Sequence, residues 1–600
     1  MEQQYMESDE ASIHDIENYL GYFYEDNMDH KVIASRKILQ LCMDLNNMEI
    51  LIEHEQLMGV ICRILKEEFK KSTELTIYLL SILFVFSNYS QFHQYLTMNQ
   101  VGGTTLDIVE YHIDRFNLRY AEFMELGKKH QDYQQELRKL NLMIAKQDKI
   151  FYMALSILLN LAEDFSIEKK MRKKNIISFL CKLLERNDFH LLIVVLLFIR
   201  KLSIISENKE QMLNEKVVPR LERFFSCNNN ILLQLTLGVL KNISFCSKMR
   251  EQIDQAGYIP KVVQLLNQPN FRFISITVLY LLSLDDKLRV TFSYTDCIKM
   301  VIKLMVHFPE RHIGKELIAL AVNLAASERN AELVSAEEVK VITDRAFKSQ
   351  DINLFKFVKN LCIYTKAQEV QGTLLRFMKH FVKMALMEKT EDDLKIECIG
   401  IFSHLQLGEK WMEYLENPKF MDFIVFNLSP NVDDDIILET IMMISHICEN
   451  EKCCEYMASQ KMLVYMCQLL IEKGDDDEFI TQILYAIYQF LYHKLGIEYV
   501  LESEEVMVTL INNIRDRNLE VRKINDHLLD ILREQDMGLT ERVREEKFYE
   551  FNNEWAESMQ EYEGNYIGEE QLINQAYYQD YLEEEDQLNP QMWDPDYQYQ

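Results

Sequence analysis

The sequence predicts an all-α chain built as a helical-repeat solenoid. Three observations predict it. Glycine and proline are scarce, 16 and 8 among 600 residues, and helices exclude both from their interiors. A short apolar phrase ending in a polar residue returns about every 40 residues, the mark of a repeat array. The chain is also far longer than one core can serve, so it is either several domains or such an array.

The elements follow in chain order. Residues 1–30 form an acidic N-terminal segment, without the basic region of a secretory signal. Residues 31–104 contain early, degenerate repeats: SRKILQLC and LLSILFVFSNYS each read as the last helix of a unit. Residues 105–150 are charged and nearly free of helix breakers, a helical insertion expected to project from the array.

Residues 151–540 carry the array proper. It opens on SILLNLAED, where Asn160 interrupts an apolar seam. The same place is taken by Lys201, Asn242, Leu281, Asn323 and Asn360, and more faintly by His404, His446 and Phe490. The steps are 41, 41, 39, 42, 37, 44, 42 and 44 residues. A second phrase shares the period: VVPRLERFF and GYIPKVVQLL set Pro219 and Pro260 41 residues apart. Proline suits a first helical turn, and Gly257 suits a helix end. Each unit therefore reads as a helix closed by glycine, a proline-started helix, and a long third helix. That order resembles the armadillo repeat rather than the two-helix HEAT unit, and it implies a right-handed superhelical solenoid.

Residues 541–600 are an acidic, tyrosine-rich tail. Beyond Lys547 there is no Lys or Arg but 14 Asp and Glu, so the tail carries −14 of the net −30. Few aliphatic residues are present, so much of the tail is expected to order only on binding.

Composition excludes several functions. The net charge of −30 disfavours nucleic acid as the main partner. The longest apolar run, LLIVVLLFI at 191–199, is too short to span a bilayer. Twelve scattered cysteines without a C-x-x-C pair read as reduced thiols, which fits the cytosol. There is no phosphate-binding glycine loop, nucleophile elbow or H-E-x-x-H zinc motif. The sequence thus predicts a non-catalytic binding scaffold with no cofactor and no metal.

Armadillo proteins, as the resemblance implies, line a groove with their third helices, and asparagine there bonds the backbone of an extended ligand. A side-chain amide offers both donor and acceptor to such a strand. Asn160, Lys201, Asn242, Asn323 and Asn360 are the candidate groove residues. The alternative is that each asparagine ties off the end of its own helix. A basic run, EKKMRKKN at 168–175, is a second candidate surface. Its Lys169, Lys170, Arg172, Lys173 and Lys174 suit an acidic partner segment or the chain's own tail.

Several stretches resemble the kinesin-associated protein family, the non-motor subunit of heterotrimeric kinesin-2. They include KILQLC (37–42), SQFH (90–93), LLNLAED (158–164), KLSI (201–204), YTDCI (294–298), DDEFI (476–480) and EKFYEFNNEW (546–555), in the family's order, with the charged insertion before Asn160. The resemblance implies an adaptor that binds the C-terminal tails of two kinesin-2 motor chains. It further implies a link to cargo, including intraflagellar transport proteins, and residence in the cytoplasm, on the cytoskeleton and at the cilium or its base. The C-terminus departs from the family in being short. A catenin-like scaffold for adhesion or signalling is the alternative. A nuclear import receptor fits less well, since such receptors set Trp one turn before each groove Asn. Here Ser156, Gly238, Ala319 and Lys356 stand in those places.

Overall fold

The computed structural model describes residues 11–126, 132–161, 171–474, 476–536, 538–545, 547–548, 552 and 555. Among these the chain is helical and contains no strand. It forms two compact units, Met1–Val334 and Ser335–Gln600.

In the first unit, long helices pack side by side in chain order: α1 (Met28–Cys42), α2 (Thr73–Ser87), then, past α3 (Val101–Leu126), α4 (Tyr133–Leu161), α5 (Phe189–Leu202), α6 (Asn230–Ile243), α7 (Pro269–Ser283) and α8 (Lys315–Ala325). From α2 onward, several open on a capping side chain. Ser72 accepts from the Leu75 amide, Asp188 from Leu191, and Asn229 from Ile231 and Leu232. Such caps satisfy donors that the first turn leaves unpaired. In α6 nearly every apolar residue is buried, from Leu232 to Ile243, as expected for a helix packed on both flanks and beneath.

Two short helices precede each of α6 and α7. Ser206–Asn214 and Val217–Arg220 come before α6, and Ser247–Gln255 and Tyr258–Gln264 before α7. Pro219 and Pro260 each stand third in their helix, inside the first turn. The joint between the short helices is a single left-handed residue. Gly257 takes it at φ 68°, but Asn175 (57°) and Lys216 (54°) take it in the two repeats before. Glycine, expected as the general helix terminator, fills this joint in only one of those three repeats.

The stretch 105–150 divides in two. α3 and α4 form an antiparallel hairpin. Its outer part, residues 114–125 and 132–139, contains no buried residue. Its root belongs to the core: Leu106, Ile108, Val109 and Ile113 on α3, and Ile150 and Phe151 on α4, are 3% exposed or less. A buried polar knot binds the root to the next repeat. Arg186 lies 3.3 Å from Asp148 and donates to Gln147 Oε1, while Gln147 Nε2 donates to the His112 carbonyl. The same helix α4 continues to Asn160, so only the outer part projects.

The second unit repeats the arrangement with α9 (Ile352–Tyr364), α10 (Asp392–Ser403), α11 (Asp434–Ile447), α12 (Asp477–Leu491) and α13 (Leu519–Arg533), again packed in order. Beyond the array, the tail from 556 lies outside the described residues.

Candidate functional site

The ladder residues stand near the ends of the third helices, half-buried. The amides of Asn160, Asn242 and Asn323 reach back to the preceding long helix. Asn160 Nδ2 donates to Ser87 Oγ at 3.0 Å and to Asn88 Oδ1 at 3.1 Å. Asn242 Nδ2 donates to the Arg200 carbonyl at 2.9 Å and to Ser203 Oγ at 3.0 Å. Asn323 Nδ2 donates to Ser283 Oγ at 2.9 Å. Lys201 does the same with a different head group, its Nζ donating to the Leu159 carbonyl at 3.2 Å. Asn360 occupies the corresponding place in α9.

The asparagine therefore ties its helix to the previous repeat, not to its own end. The accepting serine is the last residue of the x-L-S phrase, and its own hydroxyl donates back within its helix, as Ser203 does to Arg200. At Asn160 and Asn242 both amide hydrogens are committed within the chain. What such an asparagine retains for a partner is its carbonyl oxygen, an acceptor for the backbone N–H of an extended segment. The expectation of a donor and an acceptor both offered to a ligand is corrected to an acceptor alone at those two positions.

A second, unforeseen set of residues sits one position before the ladder. Arg200 lies across Gly238 in the next helix, where a Cβ would stand 2.9 Å from Arg200 Cδ. Lys359 lies across Gly400 in the same way, with a Cβ 2.4 Å from its Cδ. Glycine one turn before the ladder residue opens the channel in both places. The two cations differ in company. Lys359 Nζ sits 3.2 Å from Glu397 and 3.0 Å from Glu439, a buried triad spanning α9, α10 and α11. Burial works against the charge on Lys359, yet the two carboxylates hold its pKa above the ordinary lysine range. Burial raises Glu397. Arg200 has no acid partner among the described residues.

In the second unit the ladder turns to histidine. The His404 and His446 rings stand 4.9 Å apart, beside a polar cleft of about 660 Å³ that Gln371, Trp411 and Asn450 also line. Burial, helped by His404, lowers His446 to about 4. Tyr485 and Tyr488 stack on α12, with His527 beside Tyr488.

The basic run 168–175 is largely engaged where it is described. Lys174 pairs with Asp107 at 2.5 Å and Arg172 with Glu207 at 3.7 Å. Lys173 lines a cavity of about 410 Å³ with Gly102, Leu106 and Met171. Lys169 and Lys170 lie outside the described residues.

Among the described residues no three His, Cys, Asp or Glu cluster as a metal would require. The twelve cysteines are free thiols, and burial pushes those such as Cys42 and Cys62 up to about 12, far from reactive thiolates. No described helix is long and apolar enough to cross a membrane.

A binding scaffold of the armadillo-repeat class is what this fold and its polar ladder define. Among solved structures, a chain from work on a phosphorylation switch controlling the interaction between cadherin and beta-catenin matches with a TM-score of 0.61. It is 12% identical, over 87% of this chain and 99% of that one. An engineered protein matches at a TM-score of 0.49 and 15% identity, over 65% of this chain and 96% of its own. The family model for kinesin-associated protein (KAP) matches residues 2–592. The chain belongs to that family, and its role is that of a kinesin-associated adaptor.

Proposed function

We propose that this protein binds the C-terminal tails of two different kinesin-2 motor chains along the third-helix face and links them to cargo. The cargo includes intraflagellar transport proteins, and the site of action is the cilium and its base as well as the cytoplasmic cytoskeleton. One observation supports this use of the face above the others. The amides of Asn160, Asn242 and Asn323 are spent on the preceding helix, which leaves side-chain carbonyls at every second repeat for an extended partner. Two helix spacings of about 8–10 Å each match roughly five to six residues of extended chain, at about 3.3 Å each.

The test is affinity purification from cells followed by mass spectrometry. Two distinct kinesin heavy chains in near-equal amounts, with transport-train proteins, are expected. Recovery of a single motor chain, or of none, defeats the reading. Recovery of adhesion proteins in place of motors would favour a catenin-like scaffold.

A further inference from the structure

Three successive third helices of the first unit, α5 to α7, are unlike the rest of this acidic protein. The chain holds 95 Asp and Glu, yet α5 (FHLLIVVLLFIRKL), α6 (NILLQLTLGVLKNI) and α7 (PNFRFISITVLYLLS) contain none. They carry Arg200, Lys201 and Lys241 at the ends that bear the ladder. In the second unit α10, α11 and α12 begin with acid pairs: Asp392-Asp393, Asp434-Asp435 and Asp477-Glu478.

The bridging position, one residue before the ladder, makes the contrast sharper. It reads Leu159, Arg200, Lys241 and Tyr280 along α4 to α7. Arg200 is exposed and Lys241 half-exposed, and neither has a carboxylate partner among the described residues. Lys359, built the same way over a glycine, is neutralised by two glutamates. Two uncompensated cations, repeated at the same register, are flanked by the apolar Leu159 and Tyr280.

We infer that α5, α6 and α7 form a seat for a carboxylate-rich, extended segment of a partner protein. Arg200 and Lys241 take side-chain carboxylates on adjacent repeats, and the Asn242 carbonyl accepts a backbone N–H between them. Arg200 offers a planar fork suited to a bidentate carboxylate. The apolar flanks take hydrophobic residues on either side of the acids. This inference rests on the reading that the third-helix face is the partner-binding face, and it adds the chemistry of what binds and where.

The probe is a fluorescein-labelled peptide with Asp-Glu pairs set between leucines, compared with its Asn-Gln counterpart by anisotropy against the full chain. The acidic peptide should bind at low salt, roughly tenfold or more tighter than the amide version, and weaken as salt rises. R200Q/K241Q should lose that preference while keeping its helical spectrum and melting temperature. If that pair fails to fold, R200K should still weaken binding, because the fork is lost and the charge kept. Equal binding of the two peptides, no binding of either, or an unchanged preference in R200Q/K241Q overturns the inference. So does loss of binding in K173Q with R200Q/K241Q unaffected, which would put the acidic contact at 168–175. Motor recovery is scored separately. Failure of the unchanged protein to recover motor chains defeats the adaptor reading and leaves the peptide result standing.

Discussion

The amide of Asn242 donates to the hydroxyl of Ser203, 39 residues earlier, at 3.0 Å. The same amide also reaches the Arg200 carbonyl at 2.9 Å. An asparagine of the ladder is therefore a rivet between repeats. Asn242→Ala should lower stability by about 1–2 kcal/mol, since two hydrogen bonds of modest net value are lost. Ser203→Ala should cost less, because the Arg200 carbonyl remains. The double variant should show a coupling of about 0.5–1 kcal/mol in a denaturation cycle. Additivity within error would show that the tie carries no energy. Partner binding should fall with Asn242→Ala and hold with Ser203→Ala, which leaves the Asn242 carbonyl in place.

The ladder was legible in the sequence because a polar residue inside an apolar helix is conspicuous and recurs. Its direction was not. Whether Asn242 ties its own helix or the preceding one depends on where Ser203 lies in space, and only stacking decides that. The hairpin root was half legible. Leu106, Ile108, Val109 and Ile113 already carry helical spacing, but the charges around them drew the boundary too early. The left-handed joints at Asn175 and Lys216 gave no signal, since neither is glycine. Alignment of the repeats would have exposed Arg200 over Gly238 and Lys359 over Gly400, because each pair is one repeat apart in register.

Those two glycines should respond differently to alanine. At Gly400 a Cβ would meet Lys359 Cδ at 2.4 Å and Glu439 Oε2 at 3.0 Å. Lys359 is held by a buried triad and has nowhere to move. Gly400→Ala should cost about 1–3 kcal/mol as overpacking, and Lys359→Met about 3–5 kcal/mol because two buried carboxylates lose their cation. At Gly238 the obstacle is Arg200, exposed and free to swing aside. Gly238→Ala should lie near neutral, since helix propensity returns up to about 1 kcal/mol. Chemical denaturation of the three variants checks the order.

The hairpin predicts two different outcomes for two deletions. Residues 117–138 hold exposed ion pairs such as Arg119–Glu122, which contribute little to stability. Replacing 117–138 by a short turn should leave a soluble, cooperatively melting protein. Deleting 105–150 removes the Asp148–Arg186 pair together with Ile108, Val109 and Ile150, each fully buried. That variant should be insoluble or lack a cooperative transition, and equal behaviour of the two deletions would refute the division of the hairpin.

Lys216 holds a left-handed joint at φ 54° with a side chain that disfavours it. The neighbouring repeat uses Gly257 at φ 68°. The left-handed conformation costs a non-glycine residue about 1–2 kcal/mol, while glycine loses up to about 1 kcal/mol through unfolded-state entropy. Lys216→Gly should therefore stabilise by up to about 1 kcal/mol, seen as a higher melting temperature. Gly257→Ala should destabilise by a similar or larger amount. A lower melting temperature in Lys216→Gly would mean that the lysine stem contributes packing that the joint needs.

Burial and the neighbouring His404 lower His446 to about 4, against about 6.5 for an exposed histidine. Between those values the unfolded chain binds a proton that the folded chain refuses. Stability must then rise with pH from about 4 to 6.5 and fall on acidification through that window. Asp148 works the other way: burial, opposed by Arg186, raises it to about 6, so its contribution declines as pH rises from about 4. His112, lowered to about 4 mainly by burial, acts with His446. A single titration of stability therefore mixes opposing signs, and the informative quantity is a difference. His446→Phe removes one titrating group from beside His404 while keeping an aromatic ring. The unchanged protein should lose more stability than His446→Phe between pH 7 and 5, by roughly 1.4 kcal/mol per pKa unit traversed at most. Identical slopes for the two proteins over that range would show that His446 ionises as freely in the folded state as in the unfolded one.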